Sequence, residues 1–191
     1  QTKFSGAQEL SETASNLTQL YPEQLQRSFL RGAATESLEQ LLWARQKRAT
    51  LILGPRGVGK TALIHEAVYR HEDQREKEKR KRGKQEIFEL NPRLVIAGMS
   101  YVGQWQQRLL AILKEVVKGD HVLVVTDLLD LFRVGRSSGS DISLATMIKP
   151  FIERNRIRFV AEATPEVFRI LKEQDRAFAD MFKVVRLDPC D

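Results

Sequence analysis

Cysteine is nearly absent from this chain: Cys190 stands alone, so no internal disulfide braces the fold. That fits a reducing compartment, and a cytoplasmic location is expected. No apolar run approaches the roughly 20 residues that a membrane span needs, so no membrane partner is expected. No charged-then-apolar leader opens the chain, and its first residue is Gln rather than Met, which leads us to expect an excerpt of a longer protein. Internal repeats and low-complexity tracts are missing apart from one charged segment. Charge of one sign is also modest, with 31 basic against 25 acidic residues and a net charge of +6. Much of that excess sits in residues 75–84, REKEKRKRGK, so it does not argue for a nucleic-acid face over the whole domain. What is present is a 42% hydrophobic share, enough to build the core of one domain.

The order of periodic segments points to alternating strands and helices. Residues 1–16 are polar and patternless, and a disordered or extended start is expected there. Spacing of Leu17, Leu20, Leu25, Phe29 and Leu30 predicts a short helix over 17–30, and Leu38, Leu41, Leu42 and Ala44 predict another over 35–48. Short apolar runs at 49–53, 86–90, 122–125, 158–161 and 184–187 read as strands. Helical spacing returns at 60–70, 104–117, 142–154 and 165–173. Short strands that do not alternate imply a parallel sheet covered on both faces, an α/β fold.

One motif carries chemistry on its own. Gly54-Pro55-Arg56-Gly57-Val58-Gly59-Lys60-Thr61 satisfies Gly-x4-Gly-Lys-Thr, with an apolar strand before it and a helix after it. Small residues let successive backbone N–H groups curl around phosphates, and the following helix points its positive end at them. Lys60 supplies a point charge, and the Thr61 hydroxyl is placed to ligate Mg²⁺. A nucleoside triphosphate, ATP with Mg²⁺, is the implied ligand. The strand at 122–125 runs on into Thr126 and Asp127, and a carboxylate at such a strand end suits the metal side of the site. A plain strand-end turn also favours Asp, so both readings of Asp127 stay open.

The run Leu94-Val95-Ile96-Ala97-Gly98-Met99-Ser100-Tyr101-Val102-Gly103, followed by Gln107-Arg108-Leu109, resembles a segment of the Clp/Hsp100 family of AAA+ unfoldases. So do Met147-Ile148-Lys149-Pro150, Ala161-Glu162-Ala163-Thr164-Pro165-Glu166 and the stretch 175–182. The resemblance covers residues 17–189. It implies a P-loop NTPase fold with residues 17–191 as the large AAA+ subdomain, its helical lid lying beyond Asp191. It further implies a homo-oligomeric ring, a protein substrate or adaptor, Tyr101 as a pore-loop aromatic and Thr164 as a sensor near the γ-phosphate. Read from the residues alone, Tyr101 could be a loop aromatic packed on the domain, although Gly98 and Gly103 on either side favour the pore-loop reading, and Thr164 before Pro165 is equally a helix N-cap.

Two departures from the family pattern bear on hydrolysis. Leu128 follows Asp127 where the family has a water-polarising Glu, and Leu can neither accept a proton nor orient water. Asp130, three positions on, is the candidate substitute base, provided that a turn aims it inward. Asp180 and Met181 stand where the family carries its arginine fingers, and Arg176 is displaced by about one helical turn. Losing such a finger costs on the order of 10³ or more in rate. Nucleotide binding that drives assembly, with slow or lost hydrolysis, is therefore expected. The alternatives are an active motor using Asp130, and a nucleic-acid-directed ATPase using residues 75–84. That segment lacks interleaved aromatics, and its alternating Glu and Lys also suit a solvated helix extension.

Overall fold

The computed structural model describes residues 3–79, 85–101 and 103–189. Cys190, Val102 and the 80–84 half of the basic segment lie outside the described residues. The helices are α1 (Gly6–Thr13), α2 (Gly32–Leu42), α3 (Lys60–Lys77), α4 (Pro92–Ile96), α5 (Gln104–Lys118), α6 (Asp130–Arg133), α7 (Leu144–Glu153), α8 (Pro165–Gln174) and α9 (Arg176–Asp180). The strands are β1 (Ala14–Asn16), β2 (Ala49–Leu53), β3 (Ile87–Leu90), β4 (Val122–Val125), β5 (Arg158–Ala163) and β6 (Phe182–Arg186). They form one sheet in the order β1-β3-β4-β5-β2-β6.

Strands β3, β4, β5, β2 and β6 are mutually parallel, and β2, β4 and β5 are buried throughout as their apolar runs predict, whereas the edge strand β6 exposes Lys183, Val184 and Arg186. Each face carries its own core. Leu51, Leu53, Leu123, Val125, Phe159 and Ala161 pack with α1, α5, α7, α8 and α9. Ile52, Val122, Val124, Val160 and Val185 pack with α2 and α3 through Leu38, Leu63, Ile64 and Ala67. This strict division by strand parity decides which side chains can reach α3.

Two expectations need correction. Residues 1–16 are not wholly disordered or extended: residues 6–13 form α1, and β1 pairs antiparallel with β3. The cause lies in Arg108 on α5. Its Nε lies 2.5 Å from Glu9 Oε2, and a second guanidinium nitrogen donates to the carbonyl of Leu94, so α1 docks over a buried charge. The helix predicted over 17–30 is only a 3-10 turn at Leu17–Leu20, since Tyr21 precedes Pro22 and adopts the extended conformation that a following proline favours. Residues 94–97 fall mostly in α4, which Asn91 caps by accepting from the Arg93 N–H at 3.1 Å, with Pro92 in the first turn.

Candidate nucleotide site

β2 ends at Leu53, and the chain turns through residues 54–59 into α3. The loop is held at both flanks by the neighbouring strand ends. The Gly54 N–H donates to the carbonyl of Ala163, the last residue of β5, at 3.1 Å, and the Leu187 N–H after β6 donates to the Leu53 carbonyl at 2.8 Å. A Cβ on Gly54 would meet the Leu187 carbonyl oxygen at 2.6 Å, so only glycine fits that approach. Gly57 and Gly59 have open space around them but sit at φ +79° and +103°, so there the backbone conformation requires glycine. Pro55, Arg56 and Val58 complete the loop, and Arg31 braces it by donating to the carbonyls of Val58 and Asp188 at 3.3 and 2.6 Å.

The Lys60 ammonium folds over this turn and donates to the carbonyls of Gly54 and Pro55 at 2.8 and 2.9 Å. Thr61 stands one residue into α3. Its hydroxyl lies 2.9 Å from each carboxylate oxygen of Glu162, on the adjacent strand β5. Glu162 is 6% exposed, and burial pushes its carboxyl up to about 6 despite the opposing Thr61 hydrogen bond and the Lys60 charge. Glu89 on β3 is half-buried and is likewise raised by burial.

Sequence reading missed Glu162 as a site residue, although a signal was there: one acid inside the apolar strand Phe159-Val160-Ala161-Glu162-Ala163. In a strand buried on both faces such a residue is costly unless a partner awaits it.

The residues expected at the end of β4 are occupied differently. Asp127 Oδ1 accepts from the Asp130 backbone N–H at 3.3 Å, closing a short turn. The Asp130 carboxylate faces α4, where Arg93 Nε donates to it at 3.2 Å. Thr126, Asp127 and Asp130 line a cleft of about 450 Å³ together with Glu89 and Asn91. Thr164 caps α8, its hydroxyl accepting from the Val167 N–H at 3.2 Å. Tyr101 is 76% exposed on the loop between α4 and α5, flanked by Gly98 and Gly103 at φ +72° and +85°. Arg176 is paired with Asp180 at 3.9 Å on the exposed side of α9.

A Mg²⁺ ion fits this donor set in one way only. Among the described residues no group of three or more His, Cys, Asp or Glu could enclose a metal. Mg²⁺ needs no such cage, because it keeps waters and binds through one or two carboxylates plus the phosphates it accompanies. A hydroxyl and a carboxylate in contact beside a phosphate loop suit that mode.

No family model matches the chain. Among curated proteins it is 32% identical over 156 residues to the chaperone protein ClpB of Porphyromonas gingivalis, covering 80% of this chain and 18% of that protein. It is 29% identical over 184 residues to a ClpA homolog, an ATP-binding subunit of the ATP-dependent Clp protease, from Cyanidium caldarium, covering 94% and 21% respectively. The chain thus spans about a fifth of these relatives. Among solved structures, Hsp104 with ATPγS and casein in its closed state superposes with a TM-score of 0.78 at 24% identity. That match covers 96% of this chain and 31% of Hsp104. A likeness at that identity establishes the fold. Fold and relatives agree: this chain is a Clp/Hsp100-type AAA+ domain.

Proposed function

We propose that the domain binds ATP with Mg²⁺ at residues 54–61 and serves as a nucleotide-dependent assembly module in a ring-forming, cytoplasmic protein-remodelling machine. The observation that carries this reading is the loop itself. Left-handed Gly57 and Gly59 lead into α3, an 18-residue helix whose first residues are Lys60 and Thr61. Its N–H groups and helix dipole form an anion site, and Lys60 need only exchange two backbone carbonyls for phosphate oxygens. The relatives named as chaperones support a protein substrate, and Tyr101, exposed between two glycine hinges, is our candidate for gripping it.

Hydrolysis in this reading is slow. Leu128 is a buried apolar residue, and Asp130 is engaged with Arg93, an arrangement that disfavours Asp130 as a base. Nucleic-acid recognition through the basic segment gains no support from its described half. There Lys77 pairs with Asp73 at 2.6 Å and Arg75 with Glu72 at 3.0 Å, the pattern of a solvated helix extension.

The test is ATP binding by calorimetry, then steady-state phosphate release, with Lys60→Ala as control. Lys60-dependent binding with release near background is the expected result. Binding indifferent to Lys60→Ala overturns the assignment of the site, and robust Lys60-dependent turnover overturns the slow-hydrolysis half.

A further inference from the structure

We infer that Glu162 of β5, rather than a carboxylate at the end of β4, is the metal-side acid of this nucleotide site. The inference rests on the ATP-binding reading above and assigns one more residue to it. P-loop enzymes hold Mg²⁺ between the loop's Ser or Thr hydroxyl and an acid from another strand of the sheet. The acid that touches the loop hydroxyl here is Glu162, 2.9 Å from Thr61 Oγ through either oxygen.

The sheet explains how it gets there. Glu162 is registered against Ile52, one residue short of the end of β2, so it rises beside the loop. Parity gives it the α3 face: Val160, two residues back, belongs to the core under α3, while Ala161 and Ala163 belong to the opposite core. Along β4 the same parity runs through Val122 and Val124, both apolar, and the strand ends at Val125 without an acid on that face. Asp127 lies two residues past the end of that strand, where its carboxylate accepts from the Asp130 N–H. The carboxylate that β4 does not present on this face is presented by β5.

The local chemistry supports a cation there. A Thr hydroxyl carries one proton, and giving it to Glu162 leaves the oxygen lone pairs free for a metal. The Glu162 carboxylate then has acceptor capacity left for metal-bound water. Without a metal ion, that buried charge faces incoming phosphates of its own sign with Lys60 as its nearby counter-charge, and a bound divalent cation would relieve the repulsion.

The two situations give opposite signs, which makes the test decisive. ATP affinity of the full 191-residue chain is measured by calorimetry in saturating Mg²⁺ and again in EDTA, for the parent, Glu162→Gln, Asp127→Asn and Lys60→Ala. Glutamine keeps an acceptor for Thr61 and removes only the charge. Glu162→Gln is expected to bind ATP more tightly than the parent in EDTA and to lose about tenfold or more of the Mg²⁺-dependent gain. Asp127→Asn is expected to keep that gain. A purely structural Glu162 would shift both conditions in one direction, and that result overturns the inference. So does a Mg²⁺ gain lost in Asp127→Asn but kept in Glu162→Gln. Binding absent from the parent, or unchanged in Lys60→Ala, overturns the ATP reading and this inference with it; the other failures leave the ATP reading standing.

Discussion

Arg108 and Glu9 are 99 positions apart in the chain, yet their side chains meet at 2.5 Å, both largely buried between α5 and α1. The pair decides whether the first helix belongs to the domain. It also covers the outer edge of β3, since α1 leads directly into β1 and β1 closes that edge.

Replacing Arg108 with Met is expected to destabilise the protein by about 3 kcal/mol, because Glu9 is left buried without its partner. Urea unfolding measures this, and limited proteolysis should show cleavage moving into residues 3–16. A loss below about 0.5 kcal/mol would show that Leu10 and the β1–β3 ladder hold α1 without the pair.

Glu162 predicts a pH dependence of stability for the nucleotide-free protein. Its folded-state pKa is raised to about 6 from an ordinary value of 4.5, chiefly by burial. A raised acid favours the folded state fully only below the ordinary value, and the advantage is lost as pH climbs through the folded value. Glu162→Gln should therefore be more stable than the parent at pH 7.5, by about 2 kcal/mol at 1.36 kcal/mol per pH unit. Near pH 4 the two should converge. Parallel stability curves across pH 4 to 8 would refute a buried, raised carboxyl.

At Gly59 a φ of +103° excludes an ordinary side chain without strain, although nothing stands in the space a Cβ would take. Gly59→Ala is expected to cost about 1–2 kcal/mol in thermal or urea unfolding and to weaken ATP binding, since strain relaxes by reshaping the loop. Unchanged stability together with unchanged ATP affinity would mean the turn is not built on that conformation.

Tyr101→Ala should leave ATP affinity and folding stability unchanged, because the ring is 76% exposed. In the assembled protein it should reduce capture of an unfolded protein, read by fluorescence anisotropy of labelled casein in the presence of ATP. Normal capture by Tyr101→Ala would remove the loop from substrate handling.

The local features of this chain were legible because each depends on neighbours in sequence. Buried strands announce themselves as short apolar runs, and the phosphate loop needs only glycines, a lysine and a threonine at fixed spacing between a strand and a helix. Helices α5, α7 and α8 follow from apolar residues at helical spacing. The resemblance to Clp/Hsp100 proteins rested on such runs as well, which is why family and fold were accessible before any coordinate.

Tertiary structure decided everything that joins distant segments. Whether residues 6–13 form a docked helix turns on Arg108, far along the chain, and no local pattern in 1–16 records it. Which acid meets Thr61 turns on strand order and parity: β5 lies between β4 and β2, and one residue of offset moves a side chain to the other face of the sheet. Reading along β4 alone selected Asp127, the nearest acid after the apolar run. The sheet instead brings Glu162 to the hydroxyl from 101 positions away, because a parallel strand adjacent in space carries its side chains to the same height as its neighbour's.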